Sequence, residues 1–218
     1  MKIAQKGENM ILAYTGTPGS GKSYHSAVDI WERVKYGHPV ITNIPMTFPE
    51  KGRSKRAREK TNNAYNYKDM MEITPKYLME FSENLRKEKG WSRVPEDYIF
   101  LVIDEAQLIF NCRDWNMRGR MEWIKFFQLH RKLGYRIILI TQVCKMLDNQ
   151  MRGLIEYEIL HRKASNFGFK GWIVSAAFLS PSVFIAVRMW AVLRERVDCK
   201  IYRYSRKIAR MYDTNKVY

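Results

Sequence analysis

The sequence predicts an α/β fold, a mainly parallel sheet flanked by helices with a small β-rich C-terminal extension. Three observations predict it. Short apolar runs alternate with segments of helical spacing through residue 142, the pattern of a parallel sheet covered on both faces. Residues 16–23 read Gly-Thr-Pro-Gly-Ser-Gly-Lys-Ser, which is G-x-x-x-x-G-K-[ST], a phosphate-binding loop. The tail from Tyr157 onward is rich in aromatic and β-branched residues and reads as strands. No linker or internal repeat divides residues 1–218, so we expect one domain with a core over about 10–160 and an extension over about 161–218.

Met10 to Tyr14 is an apolar run suited to a buried parallel strand. Gly16 and Gly21 then allow backbone conformations that a Cβ obstructs. With Thr17, Pro18, Gly19 and Ser20 they form a loop whose N–H groups can cradle the phosphates of ATP. Lys22 is expected to reach the β- and γ-phosphates, and Ser23 to offer its hydroxyl to Mg²⁺. A helix should run from Lys22 to Tyr36, with Ala27, Val28, Ile30, Trp31 and Val34 at roughly helical spacing and Gly37 as its stop. Strand, glycine-rich loop, helix is the order that the motif needs.

Val40 to Ile44 reads as a second strand ended by Pro45. A basic loop comes next, from Lys51 to Lys60, with six cations in ten residues. Asp69 opens a short segment, and Pro75 starts a helix that runs to about Glu88. Tyr98 to Ile103 is a buried strand that ends in Asp104-Glu105-Ala106-Gln107. A helix over about Met121–Leu133, a strand over Arg136–Ile140 and a short helix over Asp148–Leu154 complete the core.

By this reading the loop, Asp104, Glu105, Thr141 and Gln142 all lie at carboxyl ends of strands, where such sheets bind ligands. Asp104 can hold Mg²⁺ opposite Ser23, and Glu105 can orient the attacking water. Gln142, with Thr141, can contact the γ-phosphate or that water. Arg131, near the end of a helix, either serves a nucleotide on a neighbouring subunit or is a cation favoured at a helix C-terminus.

The formal charge of +16 and pI near 9.8 suit a polyanion partner, nucleic acid or an anionic membrane face. Three widely spaced cysteines and no C-x-x-C pair point away from a disulfide framework or a zinc site. The N-terminus does not read as a signal peptide. Trp172 to Val187 carries no charge over sixteen positions. It is short of the roughly 20 apolar residues of a spanning helix, and Ser180-Pro181-Ser182 reads as a turn between two strands. The two readings are a soluble hairpin and a membrane-inserted segment.

The strand Val40–Ile44 is placed between the loop unit and the strand before Asp104. An inserted strand with a catalytic Glu marks the class of RecA-like and translocase motors. Four segments carry a family resemblance: the loop at 16–23, Val-Ile-Thr-Asn-Ile at 40–44, Leu-Val-Ile-Asp-Glu-Ala-Gln at 101–107 and the run from His130 to Gln142. Together with Ala209 to Thr214 they resemble the zonula occludens toxin N-terminal domain family, which is similar to the assembly ATPases of filamentous phages. The resemblance implies a RecA/FtsK-HerA-like P-loop NTPase that powers phage DNA export and virion assembly. It implies work in the cytoplasm at the inner face of a bacterial cell membrane, as a homo-oligomer with a membrane assembly partner. Family members typically continue into a transmembrane helix, which this sequence does not show after the ATPase region. DNA, single-stranded in such phages, is the expected partner of the basic loop Lys51–Lys60, with Tyr65 and Tyr67 placed to stack on bases. Two other functions share the loop: a small-molecule kinase of the nucleoside or nucleotide type, and an ATP-binding switch that contacts DNA with little turnover.

Overall fold

The computed structural model describes residues 10–49, 52–112, 119–164 and 182–212. In chain order the elements are β1 (Ile11–Thr15), α1 (Lys22–Lys35), β2 (Val40–Thr42), α2 (Lys55–Ala64), β3 (Tyr65–Tyr67) and α3 (Pro75–Glu88). Then come β4 (Ile99–Ile103), α4 (Arg120–Leu129), β5 (Tyr135–Ile140), α5 (Asn149–Gly153) and β6 (Tyr157–Lys163). The extension supplies β7 (Val183–Trp190), β8 (Arg196–Arg203) and a helical turn, Arg206–Ala209.

The strands form one sheet in the order β3-β2-β4-β5-β1-β6-β7-β8. The first six pair in parallel, and β7 and β8 close the far side antiparallel. β1 and β4 are buried along their whole length, because side chains on successive residues point to opposite faces and both faces are covered. Ile11 and Ala13 join a core with Leu78 of α3 and Phe126 and Phe127 of α4. Leu12 and Tyr14 join a second core with Ile30 and Val34 of α1.

Several expectations need correction. The strand that stands between β1 and β4 is β5, not β2, which pairs on the far side of β4. Order along the chain is not order in the sheet, since a parallel crossover can skip over strands. The basic loop is largely a helix, α2, with Ser54 as its cap: Ser54 Oγ accepts from Ala57 N–H at 3.3 Å. The polar residues after it include β3, a three-residue parallel edge strand. Lys51 lies outside the described residues, as do the Ser180-Pro181 part of the expected turn and Asp213 and Thr214. Of the uncharged stretch, residues 183–187 belong to β7, and no helix among the described residues is long and apolar enough to cross a membrane.

Candidate nucleotide site

β1, β4 and β5 run parallel, so the segments that leave their carboxyl ends emerge on one edge of the sheet. The loop comes from β1. Gly16 N–H donates to the Gln142 carbonyl at 3.1 Å, which ties the loop's first residue to the end of β5. Thr141 N–H donates to the Tyr14 carbonyl at 3.0 Å beside it. Gly16 has φ +141°, and a Cβ there would stand 2.5 Å from the His161 carbonyl oxygen. Gly21 has φ +98°, and a Cβ there would stand 2.5 Å from the Phe184 ring. Conformation therefore disfavours a side chain at both glycines that the motif requires, and at Gly16 the backbone also leaves no space for one.

Gly21 is also the N-cap of α1, with no side-chain bond to the first turn and no acid in it. The first N–H groups of the helix and its dipole thus remain for an anion. The Ser20 hydroxyl is buried in the loop without a protein partner among the described residues. Lys22 Nζ folds back onto the carbonyls of Gly16 (2.7 Å) and Thr17 (3.2 Å). Burial lowers the pKa of Lys22, while Asp104 and Glu105 act in the opposite direction. Lysine and acids therefore share one space. Ser23 sits half-buried in the same helical turn.

Asp104 leaves β4 with its backbone held by Asn43. Asn43 Nδ2 donates to the Asp104 carbonyl at 3.0 Å, and Asp104 N–H donates to Asn43 Oδ1 at 2.7 Å. Asp104 Oδ1 accepts Glu105 N–H at 2.9 Å. Glu105 adopts a left-handed backbone, φ 51° and ψ 42°, which is uncommon outside glycine. Gln107 Nε2 donates to Glu105 Oε2. The Gln142 side chain is exposed and lines a groove with Gly16, Thr17 and Pro18. Loop, acids and Gln142 are thus brought together as the sequence predicts.

Arg131 is not. It precedes β5, at the opposite edge of the sheet, and β5 alone spans about 20 Å at about 3.3 Å per residue. Its guanidinium pairs with Glu156 at 2.6 Å. Within one chain it does not reach the loop.

Asn43, Gln107 and the support beneath the loop escape sequence reasoning. Asn43 reads there as a strand residue; the turn after β2 frees its amide for Asp104. Under the loop, His25 Nδ1 and His161 Nε2 lie 2.7 Å apart, and His161 Nδ1 bonds the Thr15 carbonyl at 3.2 Å. A carbonyl only accepts, so His161 donates from Nδ1 and His25 donates to His161. Tyr14 OH donates to Asp29 Oδ2 at 2.6 Å nearby. Burial drives both imidazoles down to about 3 and raises Asp29.

A glycine-rich phosphate loop between strand and helix, with an acid pair at the end of β4 and β5 standing between, defines a P-loop NTPase fold. The chain matches the family model described as "Zonular occludens toxin (Zot)" over residues 10–215. It belongs to that family. It is similar to the Gene 1 protein of Enterobacteria phage fd, 29% identical over 151 residues, 67% of this chain and 40% of that protein. The chain thus spans about two fifths of the length of that relative. Among solved structures, the N-terminal domain of zonular occludens toxin from Neisseria meningitidis has a TM-score of 0.56 at 18% identity, covering 95% of this chain and all of that one. The genome packaging NTPase B204 from Sulfolobus turreted icosahedral virus 2, solved with ATP-gammaS, has a TM-score of 0.50 at 16% identity, covering 89% and 97%.

Proposed function

We propose that this chain is an ATP-hydrolysing motor domain that powers DNA export and virion assembly of a filamentous phage. One observation carries the reading: the phosphate loop, Asp104, Glu105 and Gln142 occupy one edge of the sheet, with Lys22 under the field of both acids. Similarity to phage Gene 1 proteins and to a genome packaging NTPase supports the biological setting.

Residues 16–23 hold the phosphates of ATP, with Lys22 exchanging the carbonyls of Gly16 and Thr17 for the β- and γ-phosphates. Ser23 and Asp104 would hold Mg²⁺, which supplies positive charge against the phosphate oxygens. Asn43 keeps Asp104 in place for this. Glu105 accepts a hydrogen bond from the attacking water and orients it. Gln142, on the other side of the groove, reports the state of the γ-phosphate to β5. The cations of Lys51–Lys60 contact DNA, single-stranded in this reading. The domain works as a homo-oligomer on the cytoplasmic side of the host cell membrane, beside a membrane assembly partner, and Arg131 faces the nucleotide of a neighbouring subunit.

The test is calorimetry with Mg-ATP, then phosphate release with and without a single-stranded oligonucleotide. We expect binding, and release that rises with DNA. Glu105→Gln should bind ATP within a few-fold of the parent and lose roughly a hundredfold or more in release. No heat of binding with Mg-ATP sinks the whole reading. ADP formation without phosphate release, seen only when a nucleoside acceptor is added and with the phosphoryl group recovered on that acceptor, makes the protein a kinase instead.

A further inference from the structure

We propose that the C-terminal turn Arg206–Ala209, with Arg210, forms one polynucleotide-binding surface with α2 although the two lie far apart in sequence. The inference rests on the DNA reading and adds a second half to its surface. Trp31 of α1 is where they meet. The Arg53 guanidinium, just before α2, sits over the Trp31 ring at 5.0 Å, and Lys207 Nζ sits over the same ring at 5.9 Å. Arg53 is fixed there, since it also donates to the Ala57 carbonyl at 2.7 Å. Phe48 stacks on Trp31 with ring centroids 5.7 Å apart. Thr47 N–H donates to the Met211 carbonyl at 2.7 Å, and Met46 bridges Tyr212. Tyr24 OH accepts Ser205 N–H and donates to the Arg203 carbonyl, both at 2.8 Å. The turn is therefore held to α1 at Tyr24 and to the segment after β2 at Met46 and Thr47.

This arrangement leaves Arg56 and Lys60 of α2 and Arg206, Lys207 and Arg210 exposed. Among the described residues none of these five makes an ion pair. Lys55 has only a 3.9 Å contact with Glu59, worth little in solvent. An uncompensated row of cations attracts a polyphosphate chain and releases its counterions. A lipid surface is the less suitable partner, because it takes exposed apolar side chains together with cations. Here the aromatic at the centre, Trp31, is 8% exposed and covered, whereas Trp190, Val192 and Leu193 are exposed at the turn between β7 and β8. Around Trp31 the surface thus offers charge without an inserting group.

The experiment measures anisotropy of a labelled oligo(dT) at several salt concentrations. It uses the parent, the triple variant Arg206→Gln/Lys207→Gln/Arg210→Gln and the α2 variant Lys55→Gln/Arg56→Gln/Lys60→Gln, each checked by thermal melting. Each triple variant should bind at least tenfold more weakly at low salt. Each should also flatten the slope of log K against log salt by about 2, the share of three phosphate contacts to a single strand. An unchanged slope in the C-terminal variant, with a flattened one in the α2 variant, overturns this inference and leaves the DNA reading standing. Unchanged slopes in both, or no binding by the parent, remove the DNA reading as well. Parent binding to phosphatidylserine vesicles but not to oligo(dT), lost in the variants, makes the surface a membrane surface and overturns the proposal.

Discussion

Gly16 shows how tightly single residues are specified at the site. An alanine there meets a backbone carbonyl, that of His161, which a rotamer change cannot move aside. At Gly21 the obstacle is the Phe184 ring, a side chain that can turn. We therefore expect Gly16→Ala to abolish Mg-ATP binding and Gly21→Ala to weaken it less, both read by calorimetry. Equal loss in the two would mean that backbone conformation alone decides. Asn43 is the other sensitive position. Asn43→Ala removes both hydrogen bonds that its amide makes with the Asp104 backbone, at about 0.5–1.5 kcal/mol for each. The midpoint of urea unfolding should fall, and the Mg²⁺ needed for half-maximal turnover should rise several-fold while the KM for ATP changes less. Asn43→Asp keeps the acceptor for Asp104 N–H but turns a second acceptor onto the Asp104 carbonyl in a buried position, so it should not recover the stability. An unchanged Mg²⁺ requirement in Asn43→Ala would reduce Asn43 to a packing residue. The loop and the acid pair are legible in sequence because their chemistry depends on residue type at fixed spacing. Asn43 is not, because its partner lies 61 residues away and only a folded sheet brings them together.

At the scale of elements, β1, α1 and β6 meet over the buried pair His25 and His161. Both have a folded-state pKa near 3, below the value of about 6.5 for free histidine. Above pH about 6.5 neither folded nor unfolded chain binds these protons, so the stability is flat. Below that pH the unfolded chain takes up protons that the folded chain does not, and stability falls until about pH 3. The loss is up to about 1.4 kcal/mol per pH unit for each ring. Asp29, raised by burial, acts the other way and offsets part of it. Melting temperature measured from pH 7.5 to 4.5 should hold and then decline. His161→Gln should make the decline shallower, and an identical slope would show that other groups titrate. The elements themselves vary in how far local sequence announces them. β4 and α3 are announced by an apolar run and by a Pro start with a Gly stop. α2 hides in a run of cations whose helix depends on Ser54 as cap and on α1 as a packing surface.

At the scale of the whole molecule, the sheet separates two edges. The candidate nucleotide site is on one, and Arg131 with Glu156 is on the other. In the proposed motor, an arginine so placed would act on a nucleotide held by another copy. Arg131→Ala should keep ATP affinity and lose turnover. Mixing it with Glu105→Gln protein should restore part of the activity, since some interfaces then combine an intact Glu105 with an intact Arg131. Full turnover by Arg131→Ala alone, or no recovery on mixing, would remove the arginine from catalysis.

The phosphate loop, the acids after β4 and the alternation of strand with helix are properties of residue type and local spacing, and the sequence determines them by itself. Tertiary structure alone decides that β5 stands beside β1, that Asn43 grips Asp104, that His161 underlies Gly16 and that Arg131 lies on the far edge. Each of these depends on which strands pair. Pairing is a balance of burial over the whole sheet, and no local stretch of chain carries it.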